Sequence, residues 1–172
     1  KYLTLAEEAF NKAVSYKQNY APAHYYLAGV FERQGRLEDA VARMVALRDY
    51  APLDIGIGFQ LSQLYIRQQN WDLAQAELER LVGLNENYSN ARWYLASMYE
   101  INGDLSAAIA QIEKVAELNP DNELVTERLS RLQAGETTTS IPTPVEEGEE
   151  TATEVEEGEV TVDEETEEAV TE

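Results

Sequence analysis

Hydrophobic and polar positions along the first 134 residues recur on two nested scales. The short scale is helical: apolar residues fall at i, i+3 and i+4, as in Trp93, Leu95, Ala96 and Tyr99, or in Leu105, Ala108, Ile109, Ile112 and Val115. The long scale is a 34-residue period. The stretches "YYLAGVFERQGRLEDA" from Tyr25, "FQLSQLYIRQQNWDLA" from Phe59 and "WYLASMYEINGDLSAA" from Trp93 align without insertion or deletion. Leucine fills one column (Leu27, Leu61, Leu95), and a small residue follows it (Ala28, Ser62, Ala96). Aromatics fill another (Phe31, Tyr65, Tyr99) and alanine a third (Ala40, Ala74, Ala108). Large apolar residues occupy Met44, Leu78 and Ile112, then Leu47, Leu81 and Val115.

Each unit therefore reads as two amphipathic helices. Gly103, able to take a positive φ, ends the first helix of the third unit; Asp104 caps the second; Pro52 and Pro120 mark the passage between units. The small columns have a steric reason, since two antiparallel helices approach closely only where the side chain at the crossing is no bigger than alanine or serine. The pattern predicts an all-α fold with units at 21–54, 55–88 and 89–122. Carried backward, the frame makes 1–20 the second helix of an incomplete unit, with Ala6, Phe10 and Ala13 on its apolar positions. The first helix of that unit is missing, so the expectation is either a trimmed chain or further repeats before it. Carried forward, 123–134 forms a capping helix with Val125, Leu129 and Leu132 inward and Glu127, Arg128 and Arg131 outward.

A 34-residue period with these columns resembles the tetratricopeptide repeat family. The resemblance implies a right-handed α-solenoid of antiparallel helix pairs whose first helices line a concave groove. The sequence departs from the family pattern in three places. The usual leading tryptophan is His24, Gly58 and Arg92; the middle unit's turn glycine is Gln69; and its closing proline is Glu86. In the family, the residue two before the conserved leucine faces the groove, which here is Tyr25, Phe59 and Trp93. Further along the same helices come Gln63 and Ser97, then Arg33, Arg67 and Ile101. These eight are the candidate partner-binding residues. The same aromatics also suit packing between neighbouring helices, and sequence leaves both roles open. Some members grip a C-terminal carboxylate with Lys, Asn and Arg; the equivalent positions hold Tyr25, Gly29, Asn90 and Tyr94, so that clamp is absent.

Charge changes the picture only beyond the repeats. The chain of 172 residues carries a net charge of −20. Residues 1–134 hold 18 acids and 13 bases, whereas 135–172 hold 15 acids and no base. Glu, Thr and Val with scattered Pro and Gly cannot bury enough apolar surface to offset ordering entropy, so 135–172 is expected to be a disordered acidic tail. It reads as a solubilising spacer, an acidic decoy for the groove or a basic partner, or a weak cation binder. Nucleic acid is disfavoured as a partner, because the chain offers no basic stripe. No apolar run approaches the ~20 residues of a spanning helix, so membrane insertion by this segment is not expected.

Candidate chemistry is sparse. Cysteine is absent and His24 is the one histidine, which leaves thiolate, His-metal and Ser-His-Asp arrangements without partners. "LDIGIGF" at 53–59 has two glycines but neither the Walker lysine nor the Rossmann spacing. No cofactor and no enzymatic activity are expected. Two functions stand: an interaction module that holds a peptide or partner helix in an aromatic groove, or a structural part of a larger assembly. For the second, the unit "YSNARWYLASMYEINGDLSAAIAQIEKVAELNPDNELV" is similar to arrays that close bacterial cell-envelope proteins, including O-antigen-ligase-like membrane polymerases. The compartment stays open between cytoplasm and bacterial envelope.

Overall fold

The 34-residue frame reappears as helix starts. In the computed structural model, which describes residues 1–138, the first helices α2 (Ala21–Arg33), α4 (Ile55–Arg67), α6 (Ser89–Ile101) and α8 (Glu123–Gln133) begin 34 residues apart. The second helices α3 (Leu37–Tyr50), α5 (Trp71–Leu84) and α7 (Leu105–Leu118) do the same, and α1 (Tyr2–Tyr16) precedes them. Among the described residues there is no strand. Helices pack chiefly on their sequence neighbours, α1 on α2 through to α7 on α8, as expected of a solenoid. The expected disorder of the tail falls, from residue 139 onward, outside the described residues.

Local chemistry sets the boundaries. Asp54, Asn70, Asp104 and Asn122 stand just before α4, α5, α7 and α8, and each side-chain oxygen accepts a backbone N–H from the first turn. The turns inside the units close in one way. Arg36, Asn70 and Asp104 donate backbone N–H to the carbonyls of Phe31, Tyr65 and Tyr99, with a left-handed residue just before the donor. Gly35 (φ 74°) and Gly103 (φ 78°) take that conformation freely, but in the middle unit Gln69 is held at φ 58°. Because a side chain there strains the backbone, Gln69→Gly should raise stability by about 1 kcal/mol, read as a higher urea midpoint at unchanged slope.

The repeat columns become the core. Leu27, Leu61 and Leu95, the three alanines at the crossings, and Met44, Leu78 and Ile112 are all essentially without solvent exposure. By contrast α1 has no buried residue, and Tyr2, Leu5 and Tyr16 lie open; it is tied to the rest by Phe10, stacked on Tyr26 at 5.0 Å, and by Glu7, which accepts from Gln34 and Arg36.

The connections between units share a second regularity. His24 Nε2 lies 2.7 Å from the Gln18 carbonyl and, facing an acceptor, is the nitrogen that carries the proton. Thirty-four and 68 residues later, the Pro52 and Glu86 carbonyls accept from Arg80 Nη1 (2.6 Å) and Arg92 Nε (2.7 Å). In the third unit the donor again comes from the leading position. In the middle unit that position is Gly58, so Arg80 reaches across from α5 into the space a side chain would fill.

The last helix departs from expectation. Arg128, placed by the apolar pattern on the outward face, is buried. The frame explains why: Leu129 and Ser130 continue the leucine and small columns, so α8 sits as the first helix of a fourth unit and packs on α6 as well as α7. Its position 128 therefore faces inward onto α6, whereas Glu127 remains exposed.

Candidate functional site

The first helices meet one another through long side chains on a common side of the solenoid. Phe59 on α4 makes an edge contact with Tyr94 on α6 (ring centroids 5.7 Å apart) and a tilted one with Tyr88 (5.5 Å). On α6, Trp93 lies 4.3 Å beneath the Arg128 guanidinium of α8. Residue 94 of the third unit and residue 128 of the fourth are one period apart, so both contacts are the same contact made with different chemistry. Arg67 on α4 pairs with Glu32 on α2.

The eight sequence-derived candidates separate accordingly. Tyr25 and Phe59 are half-buried, each seated against the next first helix and keeping part of its surface open. The Tyr25 hydroxyl lies 3.3 Å from where a Cβ on Gly56 would stand, at the start of α4. Arg33 and Arg67 are exposed at matching places, and among the described residues no carboxylate pairs with Arg33. Gln63 is partly covered, with its Nε2 buried and, among the described residues, without a hydrogen-bond partner. Ile101 packs at the edge of the core.

Trp93 and Ser97 are the exceptions. Both are buried beneath α8: Ser97 Oγ accepts from Arg128 Nη2 (2.8 Å), the Trp93 carbonyl accepts from Arg128 Nη1 (3.0 Å), and Trp93 Nε1 has no hydrogen-bond partner among the described residues. The three-aromatic column thus continues as geometry but not as open surface. Sequence reasoning passed over Tyr94 and Tyr88, which complete the aromatic cluster around Phe59. Their signal was available, since Tyr94 adjoins Trp93 and takes the place that Arg128 fills one period later.

Burial shapes the electrostatics of this side. The Tyr25 phenol is pushed up to about 12, first by burial and then by the negative charge of Asp54. Burial also raises Tyr94, with Arg67 pulling the other way. A phenol whose folded value lies above its unfolded one favours the folded state fully below about pH 10, and that contribution is lost as pH rises toward 12. Stability measured by urea titration should therefore fall between pH 10 and 12, and Tyr25→Phe should make that fall shallower.

Among the described residues no group of three or more His, Cys, Asp or Glu is placed to hold a metal, and no helix is long and apolar enough to cross a membrane. The arrangement offers shape, apolar edges and guanidinium groups.

Comparison with known proteins bears on the fold. A family model described as tetratricopeptide repeat matches residues 3–52 and 59–123. No curated protein sequence matches the chain. Among solved structures, MamA is similar at a TM-score of 0.66 and 19% identity, over 75% of this chain and 75% of that one. YrrB, a tetratricopeptide repeat protein with an unusual peptide-binding site, is similar at 0.64 and 22% identity, over 77% and 69%. The first such domain of Spaghetti (RPAP3), bound to the HSP90 peptide SRMEEVD, gives 0.54 and 20% identity, over 77% and 94%. These likenesses establish a right-handed α-solenoid of antiparallel helix pairs.

Proposed function

This chain belongs to the tetratricopeptide repeat family, and we propose that it is a protein-interaction module whose first-helix side holds an extended peptide or partner helix. One observation carries the reading. On a protein of net charge −20, Arg33 and Arg67 stand exposed one unit apart, about two helical turns beyond the partly open rings of Tyr25 and Phe59 on the same helices. A ligand matched to this side carries apolar side chains for the rings and a carboxylate for Arg33. Two similar structures are described with peptides or a peptide-binding site, which agrees with the reading. The carboxylate-gripping positions hold Tyr25, Gly29, Asn90 and Tyr94 instead of Lys, Asn and Arg, so recognition of a peptide by its C-terminal carboxylate alone is not part of the proposal.

The test uses the full-length protein and a phage-displayed peptide library as probe. Selected peptides should lose roughly 2 kcal/mol of binding, about thirtyfold in Kd, against Phe59→Ala. They should weaken with added salt against the parent protein but less against Arg33→Ala. Lys114→Ala, on the opposite side, should leave binding unchanged. Peptides that tolerate Phe59→Ala but not Lys114→Ala would move the interaction surface to the second helices.

A further inference from the structure

At the end of α8 the chain turns back toward the groove. Gly135, at φ 81°, reverses direction, and Glu136 N–H donates to the Arg131 carbonyl at 3.1 Å. Arg131 Nη1 donates to the Glu136 carbonyl at 2.8 Å, and Thr138 N–H reaches Glu100 Oε2 on α6 at 3.4 Å. Thr138 is thus set beside the first-helix side, at the C-terminal end of α6. Two features of the sequence that follows fit what lies beyond. Ile141, Pro142, Pro144 and Val145 form a short apolar run, and Glu146, Glu147, Glu149 and Glu150 come directly after it.

Reach and charge agree. An extended chain covers about 3.3 Å per residue, so the seven residues 139–145 span at most ~25 Å and the twelve residues 139–150 about 40 Å. Neighbouring first helices lie on the order of 10 Å apart. From Thr138 the apolar run can therefore reach the open part of Phe59 while the glutamates meet Arg67 and Arg33. Along the first helices Arg67 pairs with Glu32, Arg128 and Arg131 pair with Glu100, and Asp54, Glu123 and Glu127 add further carboxylates, while the exposed Arg33 has no carboxylate partner among the described residues. Residues 135–172 hold 15 acids and no base, and tethering raises their local concentration near Arg33 and the exposed Arg67.

We infer that Ile141–Glu150 is an intramolecular ligand of the groove, one that an outside partner must displace. The inference rests on the groove being the interaction surface, as proposed above. A tethered acidic segment would screen the arginines from weak acidic ligands and admit only those that also fill the aromatic site.

The absence of cysteine allows a direct test on the full chain. Thr143→Cys carrying a nitroxide label gives one paramagnetic centre in the tail. Amide signals of α2 and α4 should broaden while those of α3 and α5 do not, and the broadening should disappear in an Arg33→Glu, Arg67→Glu double variant. Broadening spread evenly over both sides, or unchanged by charge reversal, would overturn the inference. A second measurement keeps it separate from the proposed function. Replacing Glu146, Glu147, Glu149 and Glu150 by glutamine should tighten binding of library-selected peptides severalfold. Peptide binding at Phe59 without selective broadening would sink the tail's role and leave the interaction module standing. Selective broadening with no selectable peptide would keep the tail as ligand and remove the outside partner.

Discussion

Replacing Glu100 with alanine should destabilise the protein by about 3–5 kcal/mol, the range for breaking a buried ion pair from one side. The Glu100 side chain is 1% exposed, and its carboxylate receives Arg128 Nη2 at 2.5 Å and Nε at 3.2 Å, with Arg131 Nη2 at 3.1 Å. Arg128 is itself 4% exposed, and burial pulls its guanidinium below the ordinary arginine value, while Glu100 works to hold it charged. Without Glu100 that charge stays under α8 with only neutral acceptors, the Trp93 carbonyl and Ser97 Oγ. Since each helix rests mainly on its neighbours, the loss should be felt first as release of α8. In a Trp71→Phe background, Trp93 emission should shift to the red at lower urea than in the parent. A Glu100→Leu, Arg128→Met pair should cost far less than Glu100→Ala, because it removes both charges at once. An alanine variant that unfolds within 0.5 kcal/mol of the parent, by roughly the scatter of surface substitutions, would mean the pair is solvated.

Gly58→Ala should also destabilise, by about 1–3 kcal/mol, although alanine is the better helix former. A Cβ at residue 58 would stand 2.5 Å from Arg80 Nη2, 2.7 Å from Glu77 Oε1 and 2.7 Å from Leu81 Cδ2. The two polar atoms end flexible side chains, but both are committed. Glu77 is buried and holds Arg48 from α3 as well as Arg80, and Arg80 satisfies the Pro52 carbonyl. Leu81 belongs to the core and cannot retreat without opening space elsewhere. Gly29, in the middle of α2, has nothing within 4 Å of its Cβ position. Gly29→Ala should therefore stabilise by ~0.5–1 kcal/mol, the ordinary gain of alanine over glycine in a helix. Urea curves for the two variants should move in opposite directions; movement in the same direction would contradict the filled space beside residue 58.

The opposition between these glycines marks the boundary of what the sequence determines. Helix limits were legible because they depend on residues close in the chain. Asp54 and Asp104 cap the turns that follow them, Gly35 and Gly103 permit a left-handed backbone, and leucine and alanine recur at a spacing only a buried stripe requires. The period then fixed which helix pairs with which, since every unit buries the same columns against its neighbours. The proposed binding surface was only half legible. Tyr25, Phe59 and Trp93 share one column, yet their exposure depends on what the next unit lays against them, Tyr94 beside Phe59 and Arg128 over Trp93. Where that residue is Arg128, on the last first helix, Trp93 is covered and an apparent surface arginine becomes core. Nothing within α8 announces this, because an arginine beside an apolar stripe looks the same whether water or a facing carboxylate receives it. Glu100, 28 residues earlier, supplies that carboxylate, and only the stacking of α8 on α6 brings the two charges within 2.5 Å. Local backbone preference and periodic burial were thus written in the chain, whereas the pairing of distant charges, and with it the open length of the groove, was decided by tertiary packing.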